Sequence, residues 1–276
     1  LNPIIHNIDP FILRLGEGFG IRWYSLPYML GMLLTYLSLK KAVERKELPG
    51  MTQESAENFV LAAIISALLG ARFFHVFVFE FDRYGIDPLA WIAVWRGGLA
   101  FHGGLLGVIL AVIWFSHKHG TGVYRLLDRI TVPVAIALAL GRIANFINAE
   151  MYGKPFEGAF CVDYSQNQYM YAPPEGCRHP VQLYESAKNF GLAGLLFAIR
   201  EMIRPRPGVL TWAFVALYGW IRFGLMYLRV EDTVWKDLTL SQIFSGGMGI
   251  IGTIMLVVVL SGKPVAREIP TLPPRK

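Results

Sequence analysis

The chain has 276 residues, of which 54% are hydrophobic and only 17% charged. Ordinary soluble domains are about 25% charged, so the composition argues against a soluble fold and for several membrane spans. A formal charge of +6 does not indicate nucleic acid, because the basic residues are spread between apolar segments and not gathered on one patch.

The opening residues, LNPIIHNIDPFILRLGEGFG, lack the basic start and small-residue cleavage site of a signal peptide and read as mature protein. Seven stretches then approach the roughly 20 apolar residues that a spanning helix needs. They lie near 24 to 40, 58 to 79, 99 to 116, 130 to 148, 181 to 199, 209 to 228 and 240 to 261. After the second, FDRYGIDPLAWIAVW carries two tryptophans and reads as interfacial. The expected fold is an all-α integral membrane protein of about seven transmembrane helices. Residues 1–262 form its single domain, with segments outside the spans near 80–98 and 150–180, and 263–276 form a Pro-rich, charged and disordered tail.

Orientation follows from the Lys and Arg between the spans. One side carries fourteen, Lys40, Lys41, Arg45 and Lys46 among them, and the other carries eight. The richer side is expected to be cytoplasmic, which puts the N-terminus outside and the C-terminus in the cytoplasm.

The fourth stretch is apolar as far as TVPVAIALAL and then closes with GRIANFINAEMYG, Gly141 to Gly153. An ionisable group inside a membrane is costly, and the default reading is a functional site. On a helix, Arg142 and Asn145 share a face, with Asn148 further round, a wall of donors suited to phosphate. The alternative is that Arg142 pairs with a buried carboxylate, for which Glu150 is the nearest in sequence. A second wall, in LYGWIRFGLMYLRVED, puts Tyr218, Arg222 and Arg229 within about 40° on one helix face. Snorkelling accounts for Arg229 without function and for Arg222 poorly. In RHPVQLYESAKNF, the residues His179, Gln182, Glu185 and Asn189 share an arc that either meets a ligand or bonds neighbouring helices.

In RGGLAFHGGLLG, Gly103, Gly104 and Gly107 allow close approach of another backbone or of a ligand to the helix that carries His102, a candidate general base or a packing histidine. Arg72 and His75 are further polar residues of the second span without an evident purpose. Phosphate-loop, HExxH, GxSxG and CxxC motifs are all missing from the sequence, as is any paired-aspartate cluster within a span. The site is expected to need no metal and no cofactor. Cys161 and Cys177 fall in the long outer connection, where a disulfide between them can persist.

GRIANFINAEMYG closely resembles the signature of the prolipoprotein diacylglyceryl transferases over all thirteen positions. Further similarity runs in order through RWYSLPYMLG, LLGARFFHV, WRGGLAFHGGLLG, RHPVQLYE and YGWIRF. The resemblance implies a multi-pass enzyme of the bacterial inner membrane with a periplasmic N-terminus, acting as a monomer. Its partners would be phosphatidylglycerol, a prolipoprotein signal peptide with a lipobox cysteine, and membrane lipids, with no nucleic acid. The diacylglyceryl group would pass to the cysteine thiol as a thioether, with release of glycerol phosphate. Residue by residue, the resemblance covers Tyr24, His102, Arg142, Asn145, Glu150, Gly153, Tyr218, Arg222 and Arg229. His102, Arg142, Arg222 and Tyr24 are the expected catalytic set. Asn145, Asn148, Glu150, Gly153, Tyr218, Arg229, His179, Gly103 and Gly104 are the expected binding set. Met226 stands where better-known members have a glutamate, which leaves Arg222 and Arg229 less neutralised unless another carboxylate such as Glu185 compensates. The rival function is an anionic-lipid transporter or flippase that uses the same arginines as a binding station.

Overall fold

Short strands open the chain: β1 (Ile4–Ile5), β2 (Phe11–Gly16) and β3 (Phe19–Arg22), followed by helices α1 (Ser25–Glu44) and α2 (Gln53–Phe79). The short α3 (Phe81–Tyr84) and a 3-10 turn at Val94–Arg96 lead to α4 (Phe101–His119) and α5 (Val123–Ile147). Strands β4 (Val162–Asp163) and β5 (Cys177–Arg178) precede α6 (Val181–Met202) and α7 (Val209–Leu225), which runs on as a 3-10 turn to Leu228. Strands β6 (Thr233–Trp235) and β7 (Leu238–Thr239) lead into α8 (Leu240–Leu260). The computed structural model describes residues 3–16, 19–85 and 87–262, so the expected disordered tail at 263–276 lies outside the described residues.

The fold is mostly helical, with the all-α expectation amended by three small sheets. Strands β1, β4 and β5 pair in the order β1-β4-β5, with Ile4 opposite Val162 and Val162 opposite Arg178. The β6–β7 hairpin turns on Lys236 and Asp237, both at positive φ (42° and 62°), as a two-residue hairpin turn requires.

Among the described residues five helices, α2, α4, α5, α7 with its extension, and α8, are long and apolar enough to cross a membrane. Their apolar side chains remain largely uncovered: Leu61, Ile65 and Leu68 on α2 and Ile250, Ile254 and Val257 on α8 are exposed, as lipid contact demands. Helices α1 and α6, 20 and 22 residues long, have the length to span. Charge dilutes their apolarity: Lys40, Lys41 and Glu44 end α1, while Gln182, Glu185, Lys188 and Asn189 line α6.

The chain divides into two compact units, residues 3–34 with 131–262 and residues 35–130. In the second unit, Leu39, Ala42, Phe59, Val112, Phe115 and Leu126 form the core. Thr52 and Ser55 cap α2 reciprocally, satisfying donors that its first turn leaves open. Arg72 is 1% exposed and holds the segment after α2. Its Nε donates to the Ala90 carbonyl at 2.8 Å and its Nη1 to the Gly97 carbonyl at 2.7 Å, with Glu80 at 3.7 Å. His75 stands 3.4 Å from the same Glu80. The first unit has a helical core of Val132, Ala135, Ala193, Leu196, Leu210 and Ala213, and a smaller core of Ala149, Val162 and Tyr164. The Cys161–Cys177 disulfide crosses beside the β4–β5 pair, with the two Cα atoms 5.4 Å apart.

Candidate functional site

The end of α5 is where the apolar helix meets its polar turn. After Ile147, the backbone leaves the helix through Ala149 and Met151, both at positive φ (55° and 58°), a region that L residues adopt only when their surroundings enforce it. The enforcement is visible: Gln182 Nε2 donates to the Glu150 carbonyl at 2.5 Å, and the Gly153 amide donates to the His179 carbonyl at 3.0 Å. A Cβ on Gly153 would sit 2.6 Å from both Cβ and O of His179, so only glycine fits this crossing. The same glycine forms an isolated bridge with Arg229. Gly153 therefore sets the path of the chain past α6.

This path gives Glu150 a set of neutral donors. Tyr24 OH donates to its Oε2 at 2.9 Å, Asn145 Nδ2 donates to the same oxygen at 3.1 Å, and Asn148 Nδ2 reaches Oε1 at 3.4 Å. Asn145 also bonds to the Tyr24 hydroxyl, so Tyr24, Asn145 and Glu150 form a closed triangle. Arg142 belongs to a different pair. Its Nε meets Glu185 Oε2 at 2.7 Å, while its Nη1 donates to Asn145 Oδ1 at 3.3 Å and contacts Met151 Sδ at 3.2 Å. The sequence neighbour Glu150 is thus not the carboxylate that Arg142 pairs with; the partner comes from α6.

Glu185 also meets the second arginine wall. Arg222 Nη1 lies 2.6 Å from Glu185 Oε1 and 3.5 Å from the Tyr218 hydroxyl. One carboxylate, 2% exposed, therefore bridges guanidiniums from α5 and α7, one on each oxygen. Burying a carboxylate is costly unless it is paired and hydrogen-bonded, and this one has both arginines as partners. Among the described residues no hydrogen bond engages Arg142 Nη2 or the Nε and Nη2 of Arg222, so both guanidiniums keep donors for an outside acceptor. Met226, 1% exposed, leaves its sulfur 3.9 Å from Arg229 Nη1, and Arg229 Nε has no partner among the described residues. The neutralisation that Met226 cannot provide comes, for Arg222, from Glu185.

Around this centre the loop is packed rather than charged. His179 stacks on Phe156 at 3.9 Å with its Nδ1 3.4 Å from Tyr184 OH, and burial lowers its proton affinity. It makes no hydrogen bond to Arg142 or Arg222 among the described residues. Burial likewise pushes the Tyr164 phenol up to about 12, and Gln182 lies 3.5 Å from its hydroxyl. His6 pins β1 here, with Nε2 2.8 Å from the Phe146 carbonyl and Nδ1 2.8 Å from Asn167 Nδ2.

His102, Gly103 and Gly104 belong to the other unit, residues 35–130. His102 is exposed on the first turn of α4, with the rings of Phe74 and Phe101 beside it. Gly103 is occupied by helix packing: a Cβ there would strike the Gly70 carbonyl of α2, and Gly104 lies over Ala67 and Ala71. Sequence reasoning did not single out Lys188, whose ammonium stands 3.8 Å from the centroid of the Tyr218 ring.

A family model described as prolipoprotein diacylglyceryl transferase matches residues 10–258. Similar curated proteins include a phosphatidylglycerol–prolipoprotein diacylglyceryl transferase of Vibrio atlanticus, 34% identical over 260 residues, which covers 91% of this chain and 90% of that protein. The protein of the same name in Pseudomonas aeruginosa is 35% identical over 262 residues, 91% of this chain and 93% of its own. That of Geobacter sulfurreducens is 34% identical over 260 residues, 92% and 96%.

Proposed function

Because the chain belongs to the prolipoprotein diacylglyceryl transferase family, we propose that its Arg142–Glu185–Arg222 cluster is where it transfers the diacylglyceryl group of phosphatidylglycerol to a prolipoprotein cysteine. The observation that carries the site assignment is the single buried carboxylate shared by two guanidiniums, each with donors left over. Glu185 fixes both arginines before substrate arrives, so their donors need no reorganisation when charge develops. The phosphodiester accepts from them. The cysteine thiol gives its proton to a general base, and its sulfur forms a bond to the glycerol C3 carbon. The C3–O bond breaks with its electron pair left on the phosphate, and glycerol phosphate departs.

The Tyr24–Asn145–Glu150 triangle acts at one remove: it holds Asn145, and through Asn145 Oδ1 it orients Arg142. Placement within a fraction of an ångström matters, because a displacement of about 1 Å can cost about 100-fold in rate. The same reading counts α1 and α6 as two further spans beside the apolar five, giving seven, with the N-terminus outside a bacterial inner membrane. One chain supplies both guanidiniums, which suits a monomer. Incubating purified protein with phosphatidylglycerol and a lipobox peptide tests the function: a peptide mass gain of one diacylglyceryl group supports it, and an unmodified peptide refutes it.

A further inference from the structure

Lys188 lies three residues beyond Glu185 on α6, so the two side chains leave neighbouring points of one helix face. Its Nζ is buried, with no hydrogen-bond partner among the described residues, and it rests over the Tyr218 ring. Glu185, Arg222 and Arg142 are the charges that act on it. Glu185 is no hydrogen-bond partner for it, and its two carboxylate oxygens instead meet guanidiniums, at 2.7 and 2.6 Å. An ammonium has three donors and no acceptor, and the aromatic face offsets only part of the cost of burying it. The next residue, Asn189, is 1% exposed, and neither its Nδ2 nor its Oδ1 has a partner among the described residues. Adjacent positions of one helix thus hold an amine and an amide that the protein itself does not satisfy, beside an ion-paired cluster that it does.

Charge decides what could satisfy them. Arg142, Arg222 and Glu185 together carry one net positive charge, which matches a phosphodiester monoanion. Bond cleavage turns that group into a phosphate monoester, whose charge approaches about −2 at neutral pH. Lys188 is available for the difference from the same helix face as Glu185, besides Arg229, whose Nε also lacks a partner among the described residues. Resting on the transferase reading above, we propose that Lys188 is a further catalytic residue, whose ammonium takes up the second negative charge on the phosphate as the C3–O bond breaks and glycerol phosphate leaves. No atom is transferred to or from Lys188; it gives hydrogen bonds only.

An interaction made chiefly in the transition state lowers kcat and leaves KM nearly unchanged when it is removed. In the full-length purified protein, Lys188→Met should lower kcat by about 100-fold, the scale of removing one donor from a developing oxyanion. KM for phosphatidylglycerol should stay within about threefold, and inhibition by added glycerol phosphate should weaken about tenfold. Lys188→Arg should recover most of the rate. If the methionine protein does not accumulate in membranes, Lys188→Gln carries the same readouts. A kcat close to wild type, or a raised KM at unchanged kcat, would overturn the proposal. So would an equal loss in the arginine variant, which would make Lys188 a packing residue. Absence of transfer by the wild-type protein refutes the transferase reading itself, whereas wild-type turnover alongside an unaffected variant refutes the role of Lys188 alone.

Discussion

Replacing Glu185 with glutamine removes one charge and almost no volume. The carboxylate holds Arg142 at 2.7 Å and Arg222 at 2.6 Å, and at an effective dielectric of about 20 each contact is worth about 6 kcal/mol of gross Coulomb attraction. Desolvation of all three groups cancels much of that. Breaking a buried ion pair by deleting one partner nonetheless costs roughly 3–5 kcal/mol, because the charges left behind stay buried without compensation. Here two guanidiniums are left to repel each other. For a chain of this size the loss corresponds to a midpoint lowered by roughly 10 °C. Transfer should fall about 100-fold as the arginines lose their common anchor. KM for phosphatidylglycerol should stay level or fall, because the site becomes more positive. Thermal unfolding in detergent and initial rates across lipid concentrations measure both effects. A Glu185→Gln protein that melts with wild type and turns over within about threefold of it would refute the bridging role.

Arg142→Lys should lose most activity, since an ammonium cannot reach Glu185 and Asn145 with the planar geometry of Nε and Nη1; near-normal turnover would contradict this. If His102 is the thiol base, His102→Gln should lose most activity at pH 7 and recover part of it at higher pH as the peptide thiol ionises unaided; an unchanged pH–rate profile removes it from the chemistry. Opening the Cys161–Cys177 bridge should lower stability by about 3 kcal/mol, and thiol labelling of denatured, unreduced protein should find no reactive thiol, with two per chain contradicting the bridge. Burial lowers the proton affinity of His6 below the usual value near 6.5, so the stability supplied by its neutral ring is present above that pH and lost as pH falls through it. Wild type should therefore lose more thermal stability between pH 7.5 and 5.5 than His6→Asn, and equal losses would sink the argument.

Hydropathy located every long helix but measured the hydrocarbon rather than the helix. Helix α2 begins at Gln53 and α5 at Val123, several residues before the apolar runs near 58 and 130, because their first turns are polar and contribute nothing to an apolar window. Strands of two to six residues carry too few alternations to read, so the three small sheets were not legible. Of the four residues that helical spacing put on one arc, Gln182, Glu185 and Asn189 are buried on α6, but His179 precedes the helix, which starts at Val181, and spacing within a helix cannot say what another helix brings. Glu150 was therefore the visible partner for Arg142, and Glu185 the actual one. The glycines after His102 admitted either a backbone or a ligand, and for Gly103 it is the backbone of α2. A signal for Lys188 was present in the charge count itself. The side-by-side count takes in twenty-two of the 26 Lys and Arg, and the four that it leaves over are Arg72, Arg142, Lys188 and Arg222.

The central claim is that the arginines paired through Glu185 bind and release the phosphate. Its most direct test is to count glycerol phosphate released against thioether formed in wild type, Arg142→Ala and Arg222→Ala, each shown to be membrane-inserted. Wild type should release one glycerol phosphate per thioether, and both variants should release none above background. Glycerol phosphate released at the wild-type rate by either variant would contradict the claim.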